Sequence, residues 1–183
     1  MNDDKQPSNV IVLENSLAPL RNRFNHNSEQ IRFIALLSPT CPLWRDKGAR
    51  AVCENVLEKF PTANISVLIV WIPILAEDTF DSAIQPIKFL SDNRIHHFYD
   101  NDRMAGKSIA ESVGWTGNIA WDIYLFYEPL TEWRDKPPEP KYWMHQLPDE
   151  WATKGKFRTG VDLANELFVS MQKLNGSSSS RWQ

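Results

Sequence analysis

Cysteine is nearly absent from this chain: Cys41 and Cys53 are the only two in 183 residues, too few for a disulfide scaffold and in keeping with a reducing compartment. Glycine is scarce as well. The 7 glycines form no phosphate-binding loop or nucleophile elbow, so nucleotide use and serine hydrolase chemistry have no support. No excess of positive charge exists either. A net charge of -3, a pI near 5.8 and scattered basic residues argue against nucleic acid or an anionic membrane as partner. Met1 to Asn9 lack the basic start and apolar run of a secretory signal. The longest apolar stretch, Ile65 to Ala76, contains Ser66 and Pro73 and falls short of the roughly 20 residues that a membrane helix takes. A cytoplasmic location is the expectation.

What is present describes a globular α/β protein. With 42% hydrophobic and 23% charged residues, the chain is large enough to bury one core without staples. IRFIALLS at residues 31 to 38 is almost continuously apolar and ends at Pro39, as a central strand buried on both faces does. Ala49, Val52, Cys53, Val56, Leu57 and Phe60 then recur at three- and four-residue steps, predicting a helix over about 42 to 60 that Pro61 ends. ISVLIVWI at 65 to 72 is a second buried strand, and the helical crossover predicts that the two run parallel.

A further helix is expected around Phe80 to Ile87, with Pro86 unfavourable to its second half. A strand follows over 94 to 99, then a helix capped by Asp102 and stopped at Gly114. WDIYLFY and KYWMHQL read as antiparallel strands joined by a long proline-rich tip, and Thr159 with Asp162 introduces a closing helix. Residues 10 to 24 add a short strand and a helix. The expected organisation is a flexible segment 1–9, a single domain 10–175 and a disordered tail 176–183, whose sequence GSSSSRWQ begins at Gly176.

The order strand, SPTCPLW, helix, strand, helix, strand, strand, helix resembles the thioredoxin-like fold over roughly residues 30 to 174, with Thr40-Cys41-Pro42 as the local resemblance. The fold implied is a central mixed β-sheet flanked by helices. A cysteine at such a turn meets the unpaired N–H groups of a helix start, which favour the nucleophilic thiolate. Pro42 suits the first helical position, and Arg45, Lys47 and Arg50 add positive charge that Asp46 partly offsets.

Departures from the redox-active relatives are equally plain. The second cysteine of their motif falls here on Trp44, and the buried acid that thioredoxins carry six residues before the nucleophile falls on Ala35. The cis-proline before the strand matching WDIYLFY is replaced by Ala120 and Trp121, which also removes the peptide-backbone grip of glutathione-using relatives. Ser38 stands where peroxide-reducing relatives have threonine. Bacterial thioredoxin-like proteins in which SPTCP precedes a second cysteine are a closer resemblance, and Trp44 departs from that group too.

Two readings of function remain open at this level. In one, Cys41 is the catalytic thiol of at most a monothiol oxidoreductase-like activity, forming a mixed disulfide or sulfenic acid that a protein or small-molecule thiol resolves. Thr40, Pro42, Trp44 and Arg45 would support it, and no cofactor is implied. In the other, the fold is a redox-inactive interaction module whose tryptophan-rich hairpin, residues 121–147, presents Trp121, Trp133 and Trp143 to a partner. Trp133 in the loop is expected to be the most exposed. An inert thiol at Cys41, and aromatics that only pack the hairpin onto the core, are the plainer alternatives. Cys53 lies on an apolar stripe and is expected to be a buried, unreactive core residue. His96, His97, Asp100 and His145 do not make a metal site, because adjacent strand residues face opposite ways.

Overall fold

The two longest apolar runs form the centre of a six-stranded mixed sheet in the computed structural model, which describes residues 10–41, 48–88, 90 and 92–179. The strands are β1 (Val10–Val12), β2 (Ile31–Leu37), β3 (Ile65–Trp71), β4 (Ile95–Tyr99), β5 (Ile123–Tyr127) and β6 (Tyr142–His145). The helices are α1 (Ala18–His26), α2 (Gly48–Val52, continuing as a π-helical stretch Cys53–Glu58), α3 (Phe80–Ile87), α4 (Met104–Ser112) and α5 (Gly160–Ser179). Strand order is β1-β4-β3-β2-β5-β6. β2 and β3 pair in parallel from Ile31↔Ile65 to Leu37↔Trp71, whereas β5 runs antiparallel to β2 and β6 antiparallel to β5. Every residue of β2 and of β3 is buried, as the unbroken apolar runs require.

The pleat sorts these residues into two cores. Phe33, Ala35, Leu37, Val67 and Ile69 face α2, α3 and α5. Ile34, Leu36, Leu68 and Val70 face α1 and α4. α4 ends as its sequence predicts. Gly114 takes φ +83°, its N–H reaches the Glu111 carbonyl, and the Trp115 N–H reaches that of Ala110, closing a Schellman turn. At its other end the cap differs from expectation. Asp100, not Asp102, accepts the Met104 and Ala105 N–H groups at 3.0 and 2.7 Å, because Arg103 turns left-handed and brings the buried carboxylate of the strand end under the first turn. α3 contains Pro86 next to its last residue and ends one residue later, at Ile87.

Packing adds one buried cation to the strand reading and corrects two expectations. Arg32 interrupts the apolar run of β2 yet is fully buried, donating to the carbonyls of Ser28, Gln30 and Thr131 with its guanidinium 4.8 Å from the Phe24 ring. Burial pulls it down to about 10, so it is charged at neutral pH. Through Thr131 it ties the connection between β5 and β6 to the sheet. Trp133, expected to be exposed, is 2% exposed. The Asn25 amide takes the Trp133 N–H at 2.9 Å and donates to its carbonyl at 2.8 Å, and the indole meets Phe24 edge-on at 5.7 Å. The connection therefore folds back onto α1 instead of projecting. Gly176 to Ser179, expected to be disordered, complete α5, where the Ser177 hydroxyl donates to the Lys173 carbonyl. The expected flexible segment 1–9 and residues 180–183 lie outside the described residues.

Candidate functional site at Cys41

β2 delivers Ser38, Pro39, Thr40 and Cys41 to the carboxyl end of the sheet beside the loop that follows β3. The two loops are locked by Asp78. Its carboxylate accepts from the Ser38 hydroxyl at 2.7 Å and from the Thr40 N–H and hydroxyl at 2.9 and 2.7 Å. It also accepts from the Ile74 and Leu75 N–H groups, each at 2.8 Å. Burial opposes the charge, but these bonds outweigh it and hold the carboxyl below its ordinary range. Thr40 is thus fixed by backbone and side chain at once, immediately before Cys41.

Cys41 is buried, 7% exposed. On β5, opposite Ala35, stands Tyr124. Its phenol donates to Asp122 at 3.0 Å, and the Gln146 amide donates to the same carboxylate at 3.0 Å and to the phenol oxygen at 2.9 Å. Burial pushes Tyr124 well above its ordinary value, Asp122 adds to this through its charge and bond, and Cys41 is near enough for its charge to contribute. Burial also raises Asp122, against the bonds from Tyr124 and Gln146. Ala35 leaves no acid on β2. The polar groups in this part of the core come instead from β5 and from the end of β6.

Asp122 occupies the start of β5, next to Ala120 and Trp121, and takes φ +48°, with its carbonyl accepting from the Gln146 N–H at 3.0 Å. No cis peptide bond occurs among the described residues. Asp78, Asp122, Tyr124 and Gln146 were not singled out by the sequence. Only the position of Asp78, just before the Thr79 that caps α3, and of Asp122 at a strand start could have pointed to them.

Of the other predicted site residues, Pro42, Trp44 and Arg45 lie outside the described residues, as do Asp46 and Lys47. Arg50 pairs with Glu54 at 2.6 Å on an exposed helix face, which offsets its charge. Cys53 is half-buried against the core, and burial with Glu58, Asp92 and Glu54 pushes its thiol up to about 11, where little thiolate forms.

His97 and His145 have structural duties. His97 is buried, its Nδ1 accepting from the Trp71 indole at 3.4 Å; burial pulls it down to about 4 against a bond to the Leu90 backbone. Burial, with a smaller contribution from the charge of Arg23 on α1, lowers His96, which lies on the other side of the sheet from Trp71. His145 accepts the Leu147 N–H on Nδ1, and because the Thr153 carbonyl can only accept, Nε2 carries its proton. Both nitrogens are engaged. Trp121 and Trp143 are half-buried and Trp133 is buried, so the three do not make one exposed surface.

No protein-family model and no curated protein matches this chain. Two of the solved structures that resemble it illustrate the likeness. One is a "Putative Thioredoxin from Neisseria meningitidis", 18% identical, covering 64% of this chain and 71% of its own, with a TM-score of 0.41. The other is a "Thioredoxin-like Protein in the Oxidized Form", 12% identical over 81% of this chain and 80% of its own, with a TM-score of 0.49. The assignment rests on the topology described above. A parallel β2-α2-β3 unit with a cysteine at its first turn, an antiparallel β5-β6 pair added beside β2, and a closing helix on the α2 face define a thioredoxin-like α/β domain. Among the described residues no helix is long and apolar enough to cross a membrane.

Proposed function

We propose that Cys41 acts as the single nucleophilic thiol of a thioredoxin-like protein. Its thiolate attacks a disulfide R–S–S–R′, forming a Cys41–S–S–R bond and releasing R′S⁻. An external protein or small-molecule thiol then attacks the R sulfur of the mixed disulfide, frees the Cys41 thiolate and forms a new disulfide with R. A second external thiol attacks that disulfide, releases R–SH and leaves the two external thiols joined, so two electrons pass from two external thiols to the original disulfide. The observation that carries this reading is the five-bond grip of Asp78 on the approach to Cys41, which fixes one thiol at the carboxyl edge of the sheet. The motif position of a resolving cysteine is Trp44, so resolution is intermolecular. The activity is cytoplasmic and needs no cofactor.

The test is alkylation of Cys41 against pH in the folded protein with Cys53→Ala as background. An apparent pKa clearly below the reference of about 8.5 supports the reading, together with accumulation of a one-to-one adduct with oxidised glutathione. A thiol that labels only under denaturing conditions, or with an unshifted pKa and no adduct, refutes it. Cys41→Ser supplies the blank.

A further inference from the structure

Another feature of the same sheet edge lies around the ends of β1 and β4 and the start of α3. The connections leaving β3 and β4 part to opposite faces: α3 packs Ala83 and Ile87 with α2 and α5, whereas α4 packs Ala105 and Ile109 with α1. Where successive connections diverge, an open α/β sheet leaves a crevice beyond the carboxyl ends of its strands, and ligands bind there. In this protein the crevice is an open groove of about 370 Å³, within the range that holds small molecules.

Its walls are chemically uneven. Val12, Phe80 and Tyr99 supply an apolar floor, with the two rings edge to face at 5.3 Å. Val12 and Phe80 are 39% and 38% exposed, a high share for large apolar side chains beside each other. Glu14 and Asp102 supply the rim, and neither carboxylate has a cation against it among the described residues; Asp102 takes only a 3.4 Å contact from the Asn101 amide. The adjacent start of α3 offers an anion little, since the Thr79 hydroxyl already accepts the Ser82 N–H at 3.1 Å. A ring face with carboxylates at its border suits positive charge on an aromatic body.

We propose that this groove binds a small organic cation bearing an aromatic ring, the ring against Phe80 and Tyr99 and the ammonium toward Glu14 and Asp102. This site is separate from the thiol chemistry and stands or falls without it. The full chain, isotopically labelled, is titrated with 2-phenylethylamine and followed by amide NMR shifts. The comparators are 2-phenylethanol, with the same ring and no charge, and phenylacetate, with the opposite charge.

Saturable shifts centred on Leu13, Tyr99 and Asn101 are expected for the amine at millimolar concentration. The alcohol binds several-fold more weakly and the acid more weakly still. Glu14→Gln and Asp102→Asn each weaken the amine by about two- to fivefold and leave the alcohol unchanged. Phe80→Ala weakens amine and alcohol alike by about tenfold. Absence of saturation below about 20 mM, equal binding of the acid, or amine affinity unmoved in both carboxamide variants overturns the proposal. All three side chains are exposed or lie at the rim, so the variants keep the fold, and unchanged thermal midpoints verify it.

Discussion

Replacing Asp78 by alanine tests the mechanical basis of the site. The substitution removes five accepted hydrogen bonds and strands the Thr40, Ile74 and Leu75 N–H groups in two half-buried loops. A hydrogen bond to a charged acceptor contributes about 1.5–3 kcal/mol, but five on one carboxylate do not add, and the hydroxyls of Ser38 and Thr40 can turn to solvent. Counting the three backbone donors and a partial recovery by water puts the loss at about 3–5 kcal/mol, or roughly 10 °C in thermal midpoint for a domain of this size. Urea unfolding at neutral pH measures the first, with an unchanged m-value showing that the unfolded reference is the same. The freed loop should also raise the native-state alkylation rate of Cys41.

Acid titration supplies the sign. Asp78 is depressed in the folded state, so its contribution is complete above its unfolded value of about 3.8 and is lost as pH falls through the lower folded value. The difference in stability between the parent and Asp78→Ala should therefore shrink in strong acid. A loss below about 1 kcal/mol at pH 7, or a gap that grows on acidification, would refute the reasoning.

Three further outcomes follow from the same structure. His97, held neutral with its pKa near 4, binds fewer protons folded than unfolded between about pH 4 and 6.5; stability should rise across that window by on the order of 3 kcal/mol, and His97→Gln should lose this slope in parallel pH-stability curves. A Cβ on Gly106 would lie 2.6 Å from Ile72 Cδ1, 2.7 Å from Ile119 Cγ2 and 3.0 Å from the Ala120 carbonyl. Gly106→Ala should consequently cost about 1–3 kcal/mol despite alanine's better helix propensity, while a stabilised variant in thermal melts would show that α4 moves freely away from the strand approach. Trp133→Ala should cost about 3–5 kcal/mol in urea unfolding, since the indole is buried against Phe24; a loss under 1 kcal/mol would return Trp133 to the surface.

The sequence alone determined the layers of this protein, because the signals involved are local. Unbroken apolar runs mark β2 and β3, a three-four stripe marks the described part of α2, and Gly114 marks the end of α4 through a backbone angle only glycine adopts cheaply. It also placed Cys41 in the connection that follows β2. Tertiary structure alone decided what surrounds that thiol. Asp78 lies 37 positions beyond Cys41 in the chain, and Asp122 and Gln146 meet only because β6 pairs with β5, so no periodicity or spacing could announce them. Trp133 is buried for the same reason: a polar, proline-rich segment reads as an exposed loop until Asn25 and Arg32 capture its backbone from elements a hundred residues away. Local propensity reports how a segment would like to fold, whereas buried polar partners are chosen by whichever groups the finished sheet brings within hydrogen-bonding distance.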